Sequence, residues 1–108
     1  MCITFFKVGI KDRVKFVIAF NRAEGLDREA EPLGFHKEFQ NIICGLDVKT
    51  GTSWLALNKS TGDFAALTNY RTIKEDLTCD YSSRGNLILE YVKIRDKAIK
   101  NKKYQSLE

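Results

Sequence analysis

The second residue of the chain is a cysteine, Cys2, directly after the initiator Met. A small side chain at this position permits removal of the Met. Cys2 would then carry a thiol and a free α-amine on one residue. The amine titrates at about 7.7–8.0 and the thiol at about 8.5. One residue could therefore supply both nucleophile and base. The other thiols, Cys44 and Cys79, are scattered and lack the spacing of a metal site. Cys44 falls in an apolar stretch and reads as a buried, inert thiol. Cys79 falls in a polar one and reads as exposed. Three cysteines, an odd number, fit free thiols in a reducing compartment better than a disulfide framework.

The elements that must position Cys2 can be read from pattern. Cys2 to Val8 is rich in β-branched and aromatic residues and reads as a strand. Gly9 to Arg13 is a polar turn. Val14 to Phe20 is a second strand, apolar enough for burial on both faces, and pairs with the first as an antiparallel hairpin. Residues 25–41 are charged, contain Pro32, and read as a long loop, a feature often functional in small domains. Asn41 to Leu46, Ser53 to Asn58 and Asp63 to Thr68 then form a three-stranded meander, with glycines where its turns need positive φ. Residues 71–82 are polar and irregular. Ser82 or Ser83 is placed to cap a helix starting near Arg84. Its core stripe would be Leu87, Tyr91, Ile94 and Ala98, with Ile88, Val92 and Ile99 beside it. The helix is expected to fray in the Lys-rich tail. Five strands followed by one helix give an α+β layered domain.

At 108 residues the chain is long enough for one small domain with a modest core. Its 44% hydrophobic and 30% charged content argues against a disordered chain. No apolar run approaches a membrane span, so no transmembrane segment is expected. The start lacks the basic region of a secretory signal. The formal charge of +4 is carried by the segment Tyr91–Glu108, where six basic residues face Asp96 and Glu108. Such a tail can touch phosphate or an anionic surface, but a solvated helix end is the favoured reading. No recognised nucleic-acid motif accompanies it, and no nucleic-acid partner is expected.

Several stretches in order resemble one family. They are Met1-Cys2-Ile3-Thr4-Phe5-Phe6, Asn21-Arg22-Ala23-Glu24, Gly45-Leu46-Asp47 leading to Gly51-Thr52-Ser53-Trp54-Leu55, and Ala66-Leu67-Thr68-Asn69-Tyr70-Arg71 followed by Ser83-Arg84-Gly85. The set is similar to the transport and Golgi organisation protein 2 family, also named after its Asn-Arg-Asp-Glu motif. The similarity runs from Met1 to about Val92. It implies a fold like the N-terminal-nucleophile hydrolases, with stacked antiparallel sheets between helical layers. It also implies a role in Golgi organisation and secretion or in mitochondria, with haem or acyl-coenzyme A and other lipids as carried ligands. No cofactor is required. Ala23 departs from the motif, which has Asp there, and family members are much longer. The expectation for residues 1–108 is a single domain that is the N-terminal portion of the family fold, ending in a basic tail over residues 100–108. The chain is expected to be cytoplasmic or mitochondrial, with Golgi association, and not secreted.

Related hydrolases of the penicillin V acylase and bile salt hydrolase group cleave non-peptide amide bonds with an N-terminal Cys. On that reading Cys2 Sγ attacks the carbonyl and its own amine relays the proton. Arg22, next to the second strand, favours the thiolate. Asn69, at the end of the fifth strand, donates an amide N–H to the oxyanion. The plainer alternatives are that Cys2 is a small buried residue beneath a retained or acetylated Met, Arg22 an ion-pair partner of Glu24 or Asp47, and Asn69 a turn residue. A carboxylate at position 23 could hold the Arg22 guanidinium or bind the α-amine; with Ala23 there, Glu24 is the local substitute. His36, in the long loop, and the cysteines are the available haem ligands. Trp54 and the phenylalanines read as core. The balance favours a binding or carrier protein over a catalyst, with the amidohydrolase and an accessory subunit as alternatives. Five strands and one helix would leave one sheet face uncovered, so a protein partner or self-association is expected over it.

Overall fold

The computed structural model describes residues 2–69 and 82–105. Cys79 and most of the polar stretch before the helix lie outside them. The first two strands are β1 (Ile3–Lys11) and β2 (Val14–Asn21). They form the expected antiparallel hairpin, in register from Ile3 opposite Asn21 to Val8 opposite Phe16. β2 is not buried on either face: its residues alternate between exposed and half-buried. A two-stranded ribbon has no second layer on its outer side, so its apolar content alone could not bury it.

A four-stranded antiparallel sheet follows in the order β3-β4-β5-β6. Its strands are β3 (Ala30–Phe35), β4 (Ile42–Asp47), β5 (Thr52–Asn58) and β6 (Phe64–Ala66). The last three are the expected meander, and Gly51 and Gly62 take positive φ in its turns. β3 corrects the reading of residues 25–41 as a loop. Its Pro32 sits in an edge strand, where a missing N–H costs little, and its register to β4 shifts between Glu31 and Gly34. Six strands therefore precede the helix α1 (Gly85–Gln105). The architecture is α+β, with antiparallel sheets and one C-terminal helix.

The core lies between α1 and one face of the four-stranded sheet. It contains Ile42, Cys44 and Ala56 from the sheet and Ile88, Leu89 and Val92 from the helix, with Phe39, Ala65 and Leu67 at its margin. Asn58, fully buried, ties the layers together by donating from Nδ2 to the Val92 carbonyl at 3.1 Å. The buried stripe of the helix is thus 88, 89 and 92. Leu87, Tyr91 and Ile94, expected in the core, are 67%, 47% and 59% exposed. The apolar arc of the helix is wider than the single sheet face it meets.

The phenylalanines also depart from the core reading. Phe35, Ile43, Leu57 and Phe64 are successive cross-strand partners and form one row on the sheet face opposite the helix. Phe35, Leu57 and Phe64 are 60%, 38% and 41% exposed. The expected uncovered sheet face is this row. The Cα radius of gyration is 16.3 Å, against about 13 Å for a compact chain of this length.

Candidate functional site

Cys2 lies just before β1, and its side chain meets the backbone of Ala23, just after β2. The Ala23 N–H donates to Cys2 Sγ at 3.5 Å, and the thiol can donate back to the Ala23 carbonyl at 3.8 Å. The hairpin register makes this contact: Ile3 pairs with Asn21, so the residues flanking the pair converge. Cys2 is half-buried. The thiol therefore touches the backbone of the residue that follows Arg22 in the chain.

The Arg22 guanidinium is committed elsewhere. Nη2 forms an ion pair with Asp47 Oδ2 at 2.8 Å, Nη1 donates to the Arg28 carbonyl at 3.2 Å, and the group lies 4.8 Å from the Trp54 ring centroid. Of the two partners open in the sequence, Asp47 is the one used. Glu24 pairs with Arg28 instead, at 3.6 Å. Arg28 Nε also reaches Asp47 Oδ2 at 2.7 Å. Trp54 is half-buried and serves as a platform for the guanidinium, a contact worth about 0.5–2 kcal/mol. Gly45 leaves the room for it, because a Cβ there would lie 2.9 Å from Trp54 Cη2.

Asp47 is the hub of this cluster. Its second oxygen, Oδ1, accepts from the Thr50 N–H at 3.2 Å and the Thr50 hydroxyl at 3.1 Å. Since the Thr50 proton points to Asp47, the Thr52 hydroxyl must donate to Thr50, and Ser83 to Thr52. This one-way chain links the hub to the start of α1. It also corrects the capping expectation: the Ser83 hydroxyl bonds Thr52 and the Ser82 hydroxyl accepts from the Asn86 side-chain amide, while the Asn86 N–H is taken by the Ser83 carbonyl. Burial by itself raises the Asp47 pKa. The hydrogen bonds from Arg22 and Thr50 and the charge of Arg28 outweigh it and hold the carboxyl below its ordinary value. Sequence reading missed Arg28. The turn spacing Asp47-x-x-Thr50 was a visible signal for the hub, but its cationic partners come from other elements.

Asn69 is exposed and lies three residues beyond the end of β6. His36 lies between β3 and β4, where Nδ1 accepts the Glu38 N–H at 3.2 Å and the ring tilts on Phe39 at 5.1 Å. Cys44 is buried as expected; burial and then the charge of Glu31 push its thiol pKa up, as suits an inert residue.

A cleft of about 660 Å³ opens between the hairpin and β6. Thr4, Phe6, Val8, Phe16 and Ile18 line its hairpin wall, and Phe64, Ala66, Thr68 and Tyr91 the opposite one. Phe16 stacks on Phe64 at 4.8 Å across its floor. The size falls within the range of small-molecule sites. The Thr4 hydroxyl oxygen is buried without a hydrogen-bond partner. Neither Cys2 nor Arg22 lines this cleft. Among the described residues, no group of three or more His, Cys, Asp or Glu is placed to hold a metal ion, and no helix is long and apolar enough to cross a membrane.

Comparison with protein families finds that the family model for Transport and Golgi organisation 2 matches residues 1–107. Comparison with curated proteins and with solved structures finds no match.

Proposed function

We propose that this chain, which belongs to the Transport and Golgi organisation 2 family, binds and carries an acyl-chain metabolite such as an acyl-coenzyme A. The observation that carries the reading is the apolar cleft between the hairpin and β6. Its walls suit a hydrocarbon chain, and the unpartnered Thr4 hydroxyl offers a thioester or ester carbonyl a hydrogen bond. Haem fits it less well. The lining has no His, Cys or Met, and Tyr91 alone offers an iron-ligand atom.

Two features weigh against amide hydrolysis. The Arg22 charge is neutralised by Asp47 rather than offered to the Cys2 thiol. The apolar cleft between the hairpin and β6 is lined by neither residue. A role in transport and Golgi organisation, at the Golgi or in mitochondria, belongs to the same proposal and is checked by imaging a tagged chain.

Titration with palmitoyl-coenzyme A tests the reading. Saturable binding is expected, lost in Phe16→Asp and kept in Cys2→Ala. Absence of binding overturns it. So does Cys2-dependent release of amine from a linear acyl amide, which would favour the N-terminal-cysteine amidohydrolase. Intact mass adds a check, because retention of Met1 removes the free amine which that mechanism needs. A second reading, an accessory subunit of a larger assembly or a self-associating chain, is favoured by the exposed row Phe35, Leu57 and Phe64. Light scattering separates it: a monodisperse monomer refutes self-association, and copurification of a stoichiometric partner supports the subunit role.

A further inference from the structure

The hairpin has a second apolar face, turned away from the cleft. The register sets Ile3 opposite Asn21, Phe5 opposite Ala19 and Lys7 opposite Val17. Strand alternation puts Lys15 on the same side as Val17. Ile3, Phe5 and Val17 are 44%, 64% and 45% exposed, and both lysines are exposed. The charge of this element is one-sided. Between Ile3 and Asn21, Lys7, Lys11, Arg13 and Lys15 oppose Asp12 alone, a formal +3 within residues 1–90, which balance to zero as a whole.

That combination selects the partner. A second copy would bring the same +3 ribbon against this one and be repelled. A neutral apolar protein surface would leave the lysines without counter-charge. An anionic bilayer supplies both an apolar layer and a negative potential. Lysines beside an aromatic patch can lay their stems along it and keep their ammonium groups among the headgroups. Phe5 supplies the aromatic side chain, and Val17 extends the apolar strip across the second strand.

We propose that the outer face of the β1–β2 hairpin docks on an anionic lipid surface, with Phe5 and Val17 entering the interfacial layer and Lys7 and Lys15 at the headgroups. This surface is separate from the cleft and does not depend on it. The test is co-sedimentation of the chain with phosphatidylcholine vesicles, with and without phosphatidylserine, at low and high salt. Binding is expected only to the anionic vesicles, and to weaken with salt. Lys7→Gln with Lys15→Gln should weaken it about 25-fold, roughly fivefold for each charge lost. Phe5→Ser should weaken it about tenfold. The lysine pair is exposed, so its variant also guards against a folding artefact, with its melting temperature measured alongside. Phe16→Ser, which alters the cleft without changing the charge of the hairpin, should leave vesicle binding intact. The proposal is overturned by no binding, by equal binding to neutral vesicles, or by unchanged binding in the lysine variant. A dimer that Phe5→Ser dissociates would overturn it as well, by assigning the face to a second copy.

Discussion

Replacing Asp47 by Ala should remove the strongest polar tie between the segment that follows the hairpin and the four-stranded sheet. The Asp47 side chain is 7% exposed and accepts from Arg22, Arg28 and Thr50. Breaking a buried ion pair costs about 3–5 kcal/mol, because the remaining charge is left uncompensated. Arg22 and Arg28 are 17% and 33% exposed, so both regain some hydration, which reduces the expected loss to about 2–4 kcal/mol. Each kcal/mol moves the midpoint of a domain this size by roughly 4 °C, so melting should fall by about 8–16 °C. Asp47→Asn keeps one acceptor oxygen, enough for the Thr50 N–H and hydroxyl, but turns an amide NH2 toward the two guanidinium groups, and should lose nearly as much. Melting followed by circular dichroism reads both numbers. In a cycle with Arg22→Ala, the coupling should be about 1–3 kcal/mol. A midpoint for Asp47→Ala within 2 °C of the parent, or additive single effects, would refute the hub argument; the 2 °C margin is about half a kcal/mol.

Acid titration should report the same residue. The Asp47 pKa is held below its ordinary 3.8 in the folded chain, so its contribution is complete above that value and is lost as pH falls through the depressed one; Asp47→Asn should flatten this part of the stability profile below about pH 4. Asn58→Ala should cost about 2–3 kcal/mol in urea unfolding, because Asn58 is fully buried, bonds Val92 across the core, and accepts the Ser60 and Thr61 N–H groups of its own turn. Gly45→Ala should cost about 1–3 kcal/mol by overpacking. Displacing the Trp54 ring should also shift the emission of the only tryptophan, and unchanged emission would contradict the close approach.

The strands of the hairpin and meander were legible because each carries β-rich residues between turn residues, and their observed ends fall close to the expected ones. β3 was hidden because Pro32, Gly34 and flanking charges break its alternation; an edge strand with a register shift tolerates all three. The helix was legible as a helix but its buried side was not. Leu87, Tyr91 and Ile94 satisfy the same period as Ile88 and Val92, and only the position of the sheet decides between them. Long-range ties were the least legible. Arg22 and Asp47 are 25 residues apart, Thr52 and Ser83 31, and no local pattern joins them.

The departure at position 23 can now be given a charge argument. Sequence reading made Glu24 the substitute for the missing motif carboxylate, but Glu24 is spent on Arg28. The guanidinium of Arg22 is held by Asp47, a residue from β4. The cluster thus holds two guanidinium groups and two carboxylates, Arg22 and Arg28 against Glu24 and Asp47, and balances to zero. Both carboxylates are engaged by arginines, so an α-ammonium on Cys2 would have to compete with a guanidinium for either of them. An aspartate at position 23 would add the extra negative charge such an amine calls for; alanine does not, and its backbone contacts the thiol instead. Restoring the motif with Ala23→Asp adds a carboxylate at the residue whose backbone meets the Cys2 thiol. If that substitution brings amide cleavage to a chain that otherwise lacks it, position 23 is where the reaction was lost. If it does not, the missing carboxylate at position 23 is not by itself what withholds the reaction.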